Sequence, residues 1–235
     1  MITTILFDLD GTLLPMDMDV FTGRYFELLA SKMTGYGYDP KELIQNIWAG
    51  TKVMVKNDGR LTNEEAFWNF FCEKYGEERL EDQKVFDAYY ANEFNEVQKV
   101  CGFNEKVPQL IQEIKRMGFR EVLATNPLFP EIATRGRASW EGLSVDDFEY
   151  FTTYENSHYC KPNVEYYKEL LEKIQVQPEE CLMVGNDVDE DMIAETIGMS
   201  VFLITDCMLN RSNKDISRYP HGDFDDLLEY IKGLN

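Results

Sequence analysis

Ile5-Leu6-Phe7-Asp8-Leu9-Asp10-Gly11-Thr12-Leu13-Leu14 is the stretch whose reading decides the fold. An apolar run stops at two aspartates spaced i, i+2 and turns at once on Gly-Thr. A strand this rich in Ile, Leu and Phe belongs in a buried sheet. Strand side chains alternate with a period of two, so Asp8 and Asp10 leave the strand end in similar directions. Two like charges about 4 Å apart repel by roughly 4 kcal/mol at an effective dielectric of about 20. Such a pair persists only where a cation or a shared proton relieves it.

Working outward, residues 2–8 read as the buried strand and 9–15, with Gly11 and Pro15, as a turn. From Met18 to Val100 the pattern becomes helical. Val20, Arg24, Tyr25, Leu28 and Leu29 have helical spacing, and Pro40 fits the first turn of a second helix through Ile44, Ile47 and Trp48. Thr62-Asn63-Glu64-Glu65 forms a capping-box signature ahead of Phe67, Trp68, Phe70 and Phe71. Phe86, Tyr89, Tyr90, Phe94 and Val97 mark a fourth helix.

After Val100 strands and helices alternate. Helices are expected near 106–117, 129–137, 163–174, 189–197 and 223–231, and strands at 121–124, 150–153, 181–184 and 201–204. This alternation predicts an α/β fold, a Rossmann-like parallel sheet covered on both faces. The expected division is a core of residues 1–15 and 101–235, with an all-helical cap domain of residues 16–100 inserted into it.

The chain has 235 residues, 44% hydrophobic and 28% charged, with a formal charge of −20. That charge argues against nucleic acid and anionic membrane surfaces as partners, though a bound metal can invert the field inside one pocket. No apolar stretch approaches the roughly 18 residues of a membrane span. No signal-peptide pattern opens the chain. The five cysteines are scattered without a CxxC, which predicts reduced thiols and a cytoplasmic protein.

Ligands of open parallel sheets bind beyond the carboxyl ends of the strands. The residues expected there are Asp8 and Asp10, then Thr125-Asn126-Pro127, then Cys160-Lys161-Pro162, then Gly185-Asn186-Asp187-Val188-Asp189-Glu190-Asp191. Carboxylates, a hydroxyl, an amide and a lysine suit a hard cation and a phosphoryl group.

This set resembles the haloacid dehalogenase superfamily, in its phosphatase branch. Asp8-Leu9-Asp10-Gly11-Thr12 matches the first motif, Thr125 the second and Lys161 the third. Val184-Gly185-Asn186-Asp187 with Asp191 is similar to the acidic fourth. The order and strand-end placement of all four are more specific than any one, and the resemblance covers the whole chain. It implies a Rossmann-like core and a Mg2+-dependent hydrolysis of a small phosphorylated metabolite through an aspartyl-phosphate. Asp8 would then be the nucleophile and a metal ligand. Asp10 would be the general acid/base, with its main-chain carbonyl on the metal. Thr125 and Asn126 would bind the phosphate, and Lys161 would neutralise nucleophile and phosphoryl group.

In the fourth motif, spacing from the glycine places Asn186 in the metal position, whereas charge favours Asp187. The reading takes Asp187 as ligand and Asp191 as ligand or support. Asp189 and Glu190 are expected to face solvent or cap a helix. Cys160 reads as a bystander, His158 as a loop residue, and Arg135 and Arg137 as a solvated helix face. Most cap aromatics read as the cap's own core. Asp10 argues against a metal-free dehalogenase. A phosphomutase, a phosphonate hydrolase using Lys52 or Lys56, and a non-catalytic binding module remain alternatives.

Overall fold

The computed structural model describes residues 1–234. Six parallel strands form one sheet: β1 (Thr4–Phe7), β2 (Arg120–Leu123), β3 (Tyr150–Phe151), β4 (Cys181–Gly185), β5 (Ser200–Ile204) and β6 (His221–Gly222), in the order β3-β2-β1-β4-β5-β6. The order reverses at β1, which is hydrogen-bonded to β2 on one side and β4 on the other. Phe7 pairs with both Leu123 and Val184, so Asp8, Ala124 and Gly185 stand at one level at the carboxyl ends of their strands. A ligand crevice is expected at such a switch point.

The central strands β1 and β4 are fully buried and mostly apolar, as expected where both faces of a sheet are covered. Ile5 and Phe7 enter a core shared with α5 (Lys106–Arg116) and α8 (Phe224–Lys232), through Ile111, Ile114, Leu227 and Ile231. Leu6, on the opposite face, packs with Tyr167, Leu170 and Ile174 of α7 (Val164–Ile174).

Between β1 and β2 lie α1 (Met18–Thr34), α2 (Pro40–Val55), α3 (Asn63–Tyr75) and α4 (Gln83–Ala91), followed by a 3-10 segment at Glu93–Val100. Their starts are written locally. The Asp17 side chain accepts from Asp19 N and Val20 N, and Asp39 precedes Pro40 and caps α2. Thr62 and Glu65 close the expected capping box. Phe67, Trp68, Phe71 and Phe86 pack edge to face or stacked, with Trp68 and Phe86 centroids 5.4 Å apart. The helices rest on the strand-end loops: Asn63 N donates to Ser157 O at 2.8 Å and Glu64 N to Tyr154 O at 2.9 Å.

Two expectations need correction. Residues 189–197 do not form an α-helix: Asp187 holds the amides of Asp189 and Glu190 in a turn, and left-handed Gly198 ends the segment that follows, leaving only a six-residue 3-10 stretch at Met192–Ile197. The strand near 150–153 is the two-residue β3, after which the Thr152 hydroxyl turns to Thr125 O at 2.6 Å. All five cysteines are free thiols. Among the described residues no helix is long and apolar enough to cross a membrane.

Candidate active site

Asp8 leaves the carboxyl end of the central strand, where its amide still donates to Val184 O at 2.9 Å. The turn beyond it needs Gly11, whose φ of +81° disfavours side chains and whose missing Cβ leaves room for the Asn186 amide. Thr12 fastens this turn to both motifs: its hydroxyl lies 3.0 Å from Asp8 Oδ2 and 3.0 Å from Asn186 Oδ1.

Lys161, 1% exposed, donates to Asp8 Oδ1 at 2.9 Å and to Asp191 Oδ1 at 2.6 Å. Burial works against its charge, but Asp191 and Asp8 outweigh burial and hold its pKa well above the ordinary lysine range. Gly185 makes this possible, since a Cβ there would occupy the space of the Asp191 carboxylate. Burial pushes Asp191 upward while Lys161 opposes it.

Asp187 is buried and caps the turn after β4, its Oδ1 accepting from Asp189 N at 2.8 Å and Glu190 N at 3.0 Å. Its Oδ2 receives Arg211 at 3.1 Å. Asn186 instead donates its amide to Cys207 O at 2.6 Å. Thr125 is buried beside Asp8, with its carbonyl held by Thr152 and Tyr166. Asn126 donates to Glu190 Oε2 at 2.9 Å and accepts from Lys161 N at 3.2 Å, locking three strand-end loops together.

The structure overturns the reading of Arg137 as part of a solvated face. It is fully buried on α6 (Glu131–Trp140), ion-paired to Asp10 Oδ2, with its guanidinium 4.4 Å from the Phe129 ring centroid. Asp10 Oδ1 is buried without a protein partner. Burial raises the Asp10 pKa, Arg137 opposes the rise and Asp8 adds to it. The sequence signal was available only as an arginine in the helix after the second motif; its inward face was not. Arg135, by contrast, lies on the surface with Glu131 and Asp146. His158 pairs with Glu169 at 2.7 Å, as befits a loop residue. Glu190 is a second correction: it lines the cavity, and burial pushes its pKa to about 7.

Asp8, Asp10, Thr125, Asn126, Asp187 and Asp191 thus line one cavity of about 300 Å3, with Lys161 behind Asp8. Its floor holds five carboxylates, from Asp8, Asp10, Asp187, Glu190 and Asp191, beside the single lining cation Arg211. That surplus of oxygen donors and negative charge fits a hard divalent cation such as Mg2+. Among the described residues no three acidic, histidine or cysteine side chains are already gathered into a metal cage. Two of the carboxylates are turned elsewhere, Asp10 to Arg137 and Asp191 to Lys161.

Comparison with known proteins agrees with this geometry. The chain is 26% identical over 211 residues to the phosphoglycolate phosphatase of Vibrio vulnificus, covering 87% of this chain and 84% of that protein. It is 24% identical over 210 residues to the ribulose-1,5-bisphosphate 5-phosphatase of Halopiger xanaduensis, covering 86% and 84%. Among solved structures, Bacillus subtilis YfnB bound to magnesium superposes with a TM-score of 0.57 at 18% identity over 98% of each chain, a likeness of fold. The model of the haloacid dehalogenase-like hydrolases matches residues 2–194, a span that includes all four strand-end clusters, and the chain belongs to that family.

Proposed function

We propose that the protein is a Mg2+-dependent phosphatase that hydrolyses a small phosphorylated metabolite through an aspartyl-phosphate. The observation that carries this reading is Asp8, a carboxylate at the switch point of the sheet, held 2.9 Å from the buried Lys161 and facing the cavity. The two phosphatases to which the chain is similar support it.

In the first step an Asp8 oxygen attacks phosphorus and the bond to the ester oxygen breaks. Asp10 gives its proton to the departing alkoxide. Its raised pKa suits this task, and Arg137 holds one of its oxygens while leaving Oδ1 free. In the second step water attacks the phosphorus of the acyl phosphate, Asp10 takes the water's proton, and the Asp8 carboxylate is released with inorganic phosphate. Lys161 and the Thr125 hydroxyl offset charge on the phosphoryl oxygens. Mg2+ would supply further charge neutralisation, held by Asp8, the Asp10 carbonyl and Asp187, with Asp191 holding Lys161 or joining the ligands.

Helices α1 to α4 act in this reading as a cap domain, residues 16–100, over a core of 1–15 and 101–235, keeping water out during the first step. The phosphonate-hydrolase alternative loses support because Lys52 and Lys56 line a separate surface depression. The test is hydrolysis of p-nitrophenyl phosphate with Mg2+. Activity abolished by Asp8→Asn and by chelator is expected; full activity in Asp8→Asn would overturn the nucleophile assignment.

A further inference from the structure

The cavity has two chemically different halves. Its floor is built by the strand-end loops and carries the charged groups described above. Its roof comes from α1 to α4, and among the described residues no Lys, Arg, His, Asp or Glu of those helices lines it. Phe21, Phe26, Trp48, Phe67, Trp68 and Phe86 are among its lining residues, beside the apolar Met18, Ile47 and Met54.

We propose, resting on the phosphatase reading, that the ester hydrolysed here carries an uncharged, largely aromatic alcohol, and not one with a carboxylate or a second phosphate. Charge is the first reason. A second anion on the substrate would need a counter-ion, yet the buried cations are committed, Arg137 to Asp10 and Lys161 to Asp8 and Asp191, and the lining cation left, Arg211, is largely exposed and sits beside Asp187 on the floor, away from the roof helices. Deeper in the roof it would meet uncharged and mostly apolar surroundings, where an unpaired charge is strongly disfavoured.

Hydrogen bonding is the second reason. The polar atoms of the roof largely satisfy one another. Tyr25 and Tyr90 pair their hydroxyls at 2.9 Å, Thr51 Oγ1 donates to Ile47 O at 3.0 Å, and Trp68 Nε1 donates to Tyr154 OH at 3.4 Å. A polyhydroxylated sugar would find few free partners.

Shape is the third. About 300 Å3 lies at the lower end of ligand-pocket sizes and accommodates a ring. Trp68 and Phe86 meet edge to face at 87°, the geometry an aromatic ligand would join. Trp48 remains 46% exposed on the cavity wall, tilted against Phe26 at 5.4 Å, so core packing alone does not account for it.

The test compares benzyl phosphate with 2-phosphoglycolate, both esters of primary alcohols, alongside acetyl phosphate as a minimal phosphoryl donor, all with Mg2+. We expect kcat/KM for benzyl phosphate to exceed that for phosphoglycolate by at least about 100-fold, the scale on which an apolar pocket rejects a ligand carrying an extra polar group. In Trp48→Ala, whose half-exposed site tolerates truncation, that ratio should fall about tenfold. Acetyl phosphate turnover with no preference for benzyl phosphate would overturn this inference and leave the phosphatase reading standing. No turnover of any of the three would overturn this inference, and no turnover of p-nitrophenyl phosphate either would overturn the phosphatase reading as well. A full ratio in Trp48→Ala would remove the aromatic wall as its source and overturn the inference.

Discussion

Arg137, fully buried, and Asp10, mostly buried, form an ion pair across 127 positions of sequence, joining the helix after the second motif to the turn of the first. Removing one member of a buried pair leaves an uncompensated charge and costs about 3–5 kcal/mol. Arg137→Met should therefore lose that much stability in urea denaturation. Arg137→Met with Asp10→Asn should recover most of it, because no carboxylate is then stranded. A single variant within about 1 kcal/mol of the parent would show that the pair is not structurally significant.

Glu121 in β2 is 3% exposed with neither carboxylate oxygen hydrogen-bonded, and burial pushes its pKa to about 7 from 4.5. Between those values the folded chain keeps a proton that the unfolded chain releases. Stability therefore falls as pH rises through this window, and the contribution is lost above about 7. Glu121→Gln should be nearly neutral at the acidic end and stabilising by about 1–3 kcal/mol at alkaline pH. Urea midpoints at pH 5 and pH 8 would check this; equal differences at both would refute it.

Gly11 combines a φ of +81° with contact against the Asn186 amide. Gly11→Ala should cost roughly 2 kcal/mol or more, from left-handed strain and displacement of Asn186 together. Activity should fall too, since the same turn aims Asp10. Retained activity with full stability would mean that the turn relaxes freely.

Asp187, not Asn186, is the expected fourth-motif metal ligand. Asp187→Asn should raise the Mg2+ needed for half-maximal activity by at least about tenfold, with the same loss in metal titration calorimetry. Asp189→Asn should change it little, because Asp189 is occupied by Ser212 and Lys214. If Asn186→Ala alone weakens metal binding, spacing rather than charge decides the ligand.

What the sequence made legible was local or ordered along the chain. The paired aspartates, the capping box at Thr62 and the strand-helix alternation all leave contiguous signals, and all are present. The strand-end residues Thr125, Lys161 and Asp187 could be collected in advance because parallel strands place their carboxyl ends on one edge. Arg137 and Glu190 were misread because neither periodicity nor charge reveals which way a polar residue of a short segment faces. The stretch 189–197 differs because it is taken up at both ends: Asp187 holds Asp189 and Glu190 in a turn, and left-handed Gly198 stops the chain after Ile197, leaving room only for a 3-10 segment. The aromatics of α1 to α4 were legible as core, but their second use as a cavity wall depends on how the helices sit over the loops.

The position of β1 has a consequence for synthesis. Its hydrogen-bonding partners lie at Arg120–Leu123 and Cys181–Gly185, both far downstream. At about 5–20 residues per second, an Ile-Leu-Phe strand waits roughly 6–20 s on the ribosome before its first neighbour is made, and longer for the second. For that time its two edges are open to other chains. Ribosome-stalled chains ending near residue 115 should be captured by hydrophobic-segment chaperones more readily than chains ending beyond 200, and equal capture would argue against such exposure. The strand that centres the finished sheet is thus the nascent chain's most vulnerable segment, shielded in the interval only by whatever the helices from Met18 to Val100 can offer it.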